Sequence, residues 1–282
     1  MLAEETDRAC AAALGLVREH GLVADEALVL SDSNKVILRV LPADLVARVA
    51  RHGEHVAPLE LAAARALAAS GSPIVRLDPR VEARAHERDG FVMTLWEHAA
   101  PGGRPLDPAD YAAALARLHH GMRGLRVDAP HFLDRVAAAR AIVTDPARSP
   151  DLAPRDRALL DGVLAQLGAE VHASGREQLL HGEPHPGNVL ATDAGPLFID
   201  LETCCVGPVE FDLAHAPEAV WTRYPGADAE LLLRCRLLVL AIMTSWRWDR
   251  EDGHPGGRRL GVEWLAQLRA DLAASGIRLA AS

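Results

Sequence analysis

The sequence predicts an α+β protein, in which a strand-rich first third precedes a helix-rich remainder. Short apolar and β-branched runs separated by turn residues occupy the first hundred positions, and apolar residues at helical spacing dominate the rest. A third observation is the stretch 179–214, which places a His, an Asn and two carboxylates in two loops around one apolar strand. We expect two lobes around a cleft, with the boundary near Pro101-Gly102-Gly103, and therefore lobes at residues 1–99 and 100–282.

The first third contains patterns for two helices and several short strands. Its leading segment has apolar residues at helical spacing, and the period then changes to that of strands punctuated by turn residues. The predicted elements are a helix over 6–19, antiparallel strands over 28–30, 36–41 and 45–49 with a turn at 31–34, a helix over 59–69, and strands at Val75 and 90–96 joined by a charged loop.

The remainder of the chain predicts helices. Asp107 suits an N-cap, Pro108 the first helical position and Asp110 the first turn, so a helix is expected from there to about His119. Further helices are predicted over 131–144, 155–173, 227–248 and 260–274.

Composition restricts the class of partner. A chain of 282 residues with 49% hydrophobic content can bury a large core, and its net charge of -9 argues against nucleic acid and favours a cationic small molecule. The longest apolar run, 231–243, contains two arginines and is too short to span a bilayer, so no membrane partner is expected. The first ten residues lack a signal-peptide pattern and the four cysteines show no CxxC spacing, so we expect a cytoplasmic protein. We also expect a monomer or a weak dimer.

The central motif is the octapeptide HGEPHPGN, residues 181–188. Glu183 lies two residues after His181, and Asn188 lies five residues after Glu183, which is the spacing of the protein-kinase catalytic loop. In that loop the acid positions the acceptor hydroxyl and the Asn holds Mg²⁺. The buried strand 197–199 then ends in Asp200, a second oxygen ligand suited to this hard ion.

This region resembles the aminoglycoside phosphotransferase family of kinase-like small-molecule kinases, whose usual pattern is HGDxxxxN followed by a strand and ID. The segment Leu45 to Val49 resembles the third strand of that family, Thr94 to Glu97 resembles the hinge beneath adenine, and Gly207 to Ala214 resembles the segment after the metal-binding loop. The resemblance implies a protein-kinase-like two-lobed fold, with a small antiparallel N-lobe crossed by one helix and a mostly helical C-lobe.

The resemblance also implies roles for individual residues. Arg48 would bind the phosphates and pair with Glu60, while Glu183 would align the acceptor hydroxyl and take its proton. The implied metal ligands are Asn188 and Asp200. The implied residues for binding ATP, or GTP, are Ser31, Asp32, Ser33, Asn34, Arg48, Glu60, Thr94 and Trp96.

Two residues depart from the family pattern. Glu183 replaces an Asp, and Arg48 replaces a Lys. Lys35 is the only lysine of the chain, so no other lysine can take the role of the strand lysine unless Lys35 itself reaches the phosphates. Both replacements keep the charge, which favours a working site with altered geometry, although a catalytically silent nucleotide-binding protein is an alternative.

The substrate is less constrained by the sequence. Asp249, Glu251 and Asp252, beside Trp246 and Trp248, could form an acidic, aromatic wall for a cationic substrate or simply a helix end. The leading hypothesis is an ATP- and Mg²⁺-dependent O-phosphotransferase that inactivates an aminoglycoside-like or basic peptide antibiotic. The alternatives within the same fold are a metabolic kinase for an amino alcohol or sugar and a macrolide kinase.

Overall fold

The computed structural model describes residues 3–32, 35–53 and 57–280. It confirms the predicted kinase-like α+β fold, because an antiparallel five-stranded sheet occupies the first third and helices dominate the rest. The predicted Ser33 and Asn34 lie outside the described residues.

Two compact units make up the chain. A segment that begins at Pro186, within the central motif, belongs to the first unit, so the units are not continuous in sequence. The boundary of the functional lobes near residue 99 stays a prediction. The first unit comprises Met1–Asp128 and Pro186–Cys204, and the second comprises Ala129–His185 and Cys205–Ser282.

The first unit is built on a five-stranded sheet and a separate two-stranded hairpin. The elements of this unit are α1 (Ala3–Glu19), β1 (Ala24–Asp32), β2 (Val36–Pro42), β3 (Leu45–Arg51), α2 (Ala57–Ala68), β4 (His86–Arg88), β5 (Phe91–Glu97), α3 (Pro108–Met122), β7 (Val189–Thr192) and β8 (Gly195–Phe198), with single 3₁₀ turns at Pro186–Asn188 and Leu201–Thr203. The strand order of the sheet is β1-β2-β3-β5-β4 with every neighbouring pair antiparallel, and the hairpin joins β7 to β8.

The two faces of the sheet differ in what they contact. Along β2, Val36, Leu38 and Val40 are fully buried in the core that includes α1, while the intervening residues are partly exposed. Side chains of a strand alternate between faces, so Ile37 and Arg39 lie on the opposite face. That second face borders the cavity described below, and the period of two along β2 and β3 therefore sets which side chains reach it.

Two residues of the turn predicted at 31–34 belong to a strand. Ser31 pairs with Ile37 and Asp32 pairs with Val36, so both Ser31 and Asp32 belong to β1. The prediction that these two residues form a turn was wrong, because the ladder with the β-branched start of β2 continues through them.

The strand predicted at Val75 was also wrong. The first residues of β5 pair instead with β4. Asp89 and Gly90 join these two strands and have φ of 52° and 83°. Two successive positive φ values identify the tight hairpin turn that an Asp-Gly pair favours. Val75 lies outside the named strands and donates its N–H to the carbonyl of Phe198, the last residue of β8, at 3.0 Å.

The predicted start of α3 is confirmed in detail. The Asp107 carboxylate accepts hydrogen bonds from the backbone N–H groups of Ala109 at 2.8 Å and Asp110 at 3.2 Å, and Pro108 occupies the first turn. The helix continues to Met122, one turn beyond the expected end, because its apolar face stays buried through Leu118 and Met122.

The second unit is mainly helical. Its core is formed by the apolar faces of α4, α5, α8 and α9, which contact one another around buried residues such as Leu164, Leu238 and Leu268. The elements are α4 (Phe132–Thr144), α5 (Pro154–His172), β6 (Gln178–Leu180), β9 (Cys205–Gly207), α6 (Val209–Leu213), α7 (Glu218–Trp221), α8 (Ala229–Trp248) and α9 (Gly257–Ser275), and β6 pairs with β9. The predicted helices over 131–144, 155–173, 227–248 and 260–274 are confirmed within three residues at each end.

No helix in the described ranges has the length and apolar character needed to cross a bilayer. The four cysteines are free thiols in the structure. Burial raises the pKa of the Cys205 thiol to about 12, so this thiol stays protonated and behaves as a small apolar group.

His215 is an uncharged histidine inside the second unit. Its ring lies edge-on to Phe211, with 5.7 Å between ring centroids, and its buried Nε2 has no hydrogen-bond partner among the residues that the structure describes. Burial lowers the pKa of His215 to about 3, and the positive charges of Arg135 and neighbouring histidines add to this effect while Asp212 opposes it. The folded protein therefore binds a proton at His215 far less readily than the unfolded chain.

We expect Gly90→Ala to destabilise the protein by about 1 kcal/mol, because an L-residue with a side chain is strained at positive φ. A Cβ at Gly90 meets no atom of the described part of the chain within 4 Å, so the effect reports the backbone alone. Gly103→Ala is the matched control, because that position is equally open and has no positive φ. Urea unfolding of the two variants should differ by about 1 kcal/mol, and equal stabilities would contradict the assigned turn.

We expect acid to destabilise the protein through His215. Above pH 6.5 this group contributes nothing, and below it the unfolded chain gains a proton that the folded state does not, so stability falls by about 2 kcal/mol at pH 5. His215→Gln should remove this component from urea unfolding curves measured between pH 7 and pH 5. The exposed His254→Gln variant is the control and should retain it; an unchanged acid slope in His215→Gln would show that the ring titrates normally.

Candidate active site

A cavity of about 680 Å³ lies within the first unit, between the second face of the sheet and the segments around β7 and β8. Its walls combine apolar side chains with charged and amide groups, which is typical of a site for a ligand with an apolar and a charged end. Its lining residues include Ser31, Lys35, Arg48, Trp96, Asn188, Asp200 and Glu202.

Arg48 joins two carboxylates at this cavity. Its Nη1 contacts the carboxylate of Glu60 on α2, and its Nη2 contacts the carboxylate of Asp200. The predicted pairing of Arg48 with Glu60 is thus present in the structure. Burial raises the pKa of Glu60, whereas the charges of Arg48 and Lys35 act in the opposite direction and favour the carboxylate.

Lys35 belongs to the same cluster. Its Nζ contacts the Glu202 carboxylate and lies 3.7 Å from Oδ1 of Asp200, while Arg48 Nη2 lies 3.8 Å from Glu202 Oε2. Burial, and then the positive charge of Arg48, lower the pKa of the Lys35 ammonium. We call Lys35, Arg48, Glu60, Asp200 and Glu202 the charge cluster; it brings two cations and three carboxylates together.

The backbone around Asp200 is held in an unusual conformation. The strand β8 ends at Phe198, one residue earlier than predicted, and the N–H of Ile199 donates to the carbonyl of Asn188 at 3.0 Å. Asp200 has φ of 67° and ψ of 54°, a left-handed conformation that costs about 1 kcal/mol or more for a non-glycine residue. This local geometry places Asn188 and Asp200 on the wall of one cavity.

The other predicted nucleotide residues are divided between the cavity wall and its surroundings. Ser31 and Trp96 line the cavity, and the Trp96 Nε1 donates to Thr94 Oγ1 at 2.8 Å. Thr94 is almost completely buried and therefore orients the Trp96 ring rather than forming the wall. Asp32 lies at the exposed end of β1, where it accepts a hydrogen bond from Thr6 at 2.9 Å.

The start of the central motif is fixed within the second unit by Asp212. This fully buried carboxylate accepts hydrogen bonds from the backbone N–H groups of His181 at 2.9 Å and Gly182 at 2.7 Å. Asp212 lies in α6, so the segment Gly207 to Ala214 braces the motif through a charge-assisted pair of hydrogen bonds.

Glu183 has a charged partner on α4. Arg135 Nη1 donates to the carbonyl of Gly182 at 3.0 Å and lies 3.4 Å from Oε1 of Glu183. The guanidinium thus contacts both the backbone and the side chain of the motif. Arg135 is a site residue that the sequence analysis missed, because it lies 48 positions before Glu183 and no local pattern connects them.

The acids at the end of α8 have arginine partners. Asp249 pairs with Arg148, and Asp252 pairs with Arg247 at 3.0 Å. Asp249 also accepts a hydrogen bond from the backbone N–H of Glu251 at 3.1 Å, which is typical of a helix end. These pairs reduce the free negative charge available to a cationic substrate, so of the predicted wall Glu251 retains the most exposed carboxylate.

The first unit therefore contains donors that fit a nucleotide and a divalent cation. Asp200 and Glu202 supply carboxylate oxygens and Asn188 an amide oxygen, the ligand types that Mg²⁺ prefers. Within the described residues Arg48 Nε is buried without a hydrogen-bond partner, so the cavity also offers a donor whose bonding capacity is unused.

Comparison with protein families identifies one that spans most of the chain. The model of the phosphotransferase enzyme family, APH, matches residues 28–238, which include the charge cluster and the central motif. No curated protein matches the chain.

Solved structures with the same fold include kinases of different small molecules. An amicoumacin kinase in complex with AMP-PNP and Ca²⁺ is 11% identical, with a TM-score of 0.70, covering 95% of this chain and 96% of that chain. A choline/ethanolamine kinase family protein from Mesorhizobium loti is 18% identical, with a TM-score of 0.68 and coverage of 96% and 95%. A spectinomycin phosphotransferase in complex with ADP and spectinomycin is 14% identical, with a TM-score of 0.61 and coverage of 94% and 97%.

At these identities the solved structures show a shared fold, while the family match covers the residues that carry the chemistry. The protein therefore belongs to the phosphotransferase enzyme family and is a small-molecule phosphotransferase.

Proposed function

We propose that this protein is an ATP- and Mg²⁺-dependent O-phosphotransferase that phosphorylates a hydroxyl of a cationic small molecule. The single observation that carries the proposal is the charge cluster at the cavity, where Asp200 is held by Arg48 beside Trp96 and Asn188. The aromatic wall of the cavity suits the base of a nucleotide, and the cations paired with carboxylates suit its phosphates. Antibiotic inactivation is the leading physiological case.

On the phosphate side, the pair of Arg48 and Glu60 would hold the cavity wall in a fixed geometry next to the nucleotide. Arg48 lies over the Trp96 ring, with 5.9 Å from Cζ to the ring centroid, so one guanidinium links the aromatic wall to the carboxylates. Asn188 and Asp200 would hold Mg²⁺. When bound, the ion neutralises charge on the transferring phosphoryl group.

Glu183 would act on the acceptor. The substrate oxygen forms a bond to the γ-phosphorus, the bond from that phosphorus to the bridging oxygen of ADP breaks, and the hydroxyl proton passes to the Glu183 carboxylate. Arg135 would keep this carboxylate oriented through its contacts with Glu183 and the Gly182 carbonyl. Catalysis on this scheme depends mainly on positioning and charge neutralisation.

The cationic substrate is favoured by the net charge of -9. A substrate wall formed by Asp249, Glu251 and Asp252 stays part of the proposal, but the arginine partners of Asp249 and Asp252 leave Glu251 as its strongest member. The cytoplasmic location and the monomeric or weakly dimeric state also stay predictions.

An amino alcohol kinase is the second candidate function. It is favoured by the solved choline/ethanolamine kinase family protein, which shares the fold along nearly the full length of both chains. Amino alcohols are also cationic at neutral pH, so the charge of this protein suits them equally.

A phosphorylation screen tests the proposal. Purified protein is incubated with Mg²⁺ and either ATP or GTP and a panel of aminoglycosides, basic peptide antibiotics, macrolides, amino alcohols and sugars, and products are detected by mass spectrometry. We expect one phosphoryl group to be added to a cationic member of the panel. Nucleotide binding without transfer to any compound would favour the catalytically silent alternative.

Variants of the motif test the assigned roles. We expect Asp200→Ala to abolish transfer, Glu183→Ala to lose most activity, by about a hundredfold or more, and Glu183→Asp to retain appreciable activity, because it keeps the carboxylate. Glu263→Ala, on the exposed face of α9, is the control and should act like the wild type. Full activity in Glu183→Ala would remove the role given to this residue.

A further inference from the structure

Lys35 lies on the cavity face of the sheet. It directly precedes β2, and Lys35, Ile37 and Arg39 are spaced two residues apart and all line the cavity. Ile37 pairs with Arg48 across the ladder between β2 and β3, so Lys35 approaches the same end of the cavity as Arg48. The strand period therefore explains how a lysine outside β3 reaches this cluster.

Arg48 is already committed to two carboxylates. Its two terminal nitrogens contact Glu60 and Asp200, and only 12% of its side chain is exposed. Moving the guanidinium onto a phosphate would leave the Glu60 carboxylate, with 4% of its side chain exposed, without its main counter-charge. Breaking a buried pair in this way is strongly unfavourable.

Lys35 has the freedom that Arg48 lacks. Its ammonium has three donors on a flexible stem, so it can keep its contact with Glu202 while donating to another anion. Only 14% of the side chain is exposed, so the charge is partly desolvated and interacts strongly with an anion that enters the cavity. A charge-assisted hydrogen bond to phosphate is the interaction this geometry suits.

We propose that Lys35 is the side chain that binds the phosphates of the nucleotide, and that Arg48 is a positioning residue that holds Glu60 and Asp200 together. The division of labour rests on the proposed function, because it requires a nucleotide in the cavity. The task given to one strand lysine in the family pattern is thus divided between two cations, one on β3 and one directly before β2.

The single lysine allows a direct test on the unmodified protein. Treatment with an amine-acylating reagent labels Lys35 and the terminal amine, and peptide mapping by mass spectrometry separates the two. Mg²⁺-ATP should slow acylation of Lys35 by about tenfold or more, whereas adenosine, which lacks phosphates, should leave its rate unchanged. Equal labelling of Lys35 with and without saturating ATP would overturn the proposal.

Binding to variants gives a second readout. Lys35→Met should weaken ATP binding by about tenfold to a hundredfold and change adenosine binding by no more than about twofold. Arg51→Met removes a cation of the same sheet that pairs with Glu5 outside the cavity, and it should bind ATP like the wild type. Unchanged ATP affinity in a folded Lys35→Met protein would overturn the assignment of Lys35 alone.

The two hypotheses fail in different ways. A wild-type protein that binds neither ATP nor adenosine would overturn the proposed function and the role of Lys35 with it. A wild type that binds ATP, together with a Lys35 that is neither protected nor required, would leave the proposed function standing and return the phosphate-binding role to Arg48.

Discussion

The charge cluster is the constraint on which the first unit depends. Its members come from the start of β2, from β3, from α2 and from the segment after β8, so elements far apart in sequence meet at one set of ion pairs. Glu60 is almost completely buried, and a carboxylate in that position is stable only while a cation neutralises it. Arg48 cannot serve that purpose and also move freely, which is why the position of the second cation matters.

An arginine on β3 changes what the neighbouring groups must do. A guanidinium presents two terminal nitrogens in a fixed planar fork and can join two carboxylates, whereas an ammonium is a compact point charge. In this chain the fork joins Glu60 to Asp200, and the ammonium of Lys35 contacts Glu202. The replacement at Arg48 and the placement of the only lysine directly before β2 are therefore best understood together, as one arrangement of two cations among three carboxylates.

Much of the fold follows from local patterns, because alternation along β2 and helical spacing along α8 are each dictated by one buried face. The Asp89-Gly90 turn carried a local signal for a hairpin that the interpretation of this segment as a charged loop ignored. The position of Lys35 also follows from the period of two counted back from Ile37. By contrast, the contact between Arg135 and Glu183 depends on how α4 packs, and no local pattern in the sequence specifies it.

A charged partner also restrains Glu183, the longer acid in the central motif. One extra methylene gives Glu183 an additional rotatable bond, which by itself would spread its carboxylate over more positions. Asp212 fixes the backbone just before Glu183 through two N–H groups, and Arg135 restrains the side chain from α4. Because the backbone and the carboxylate are held by separate partners, the extra length alters where the carboxylate lies without making it mobile. A glutamate in this position is therefore compatible with a positioned catalytic acid-base group, provided that Arg135 keeps its charge.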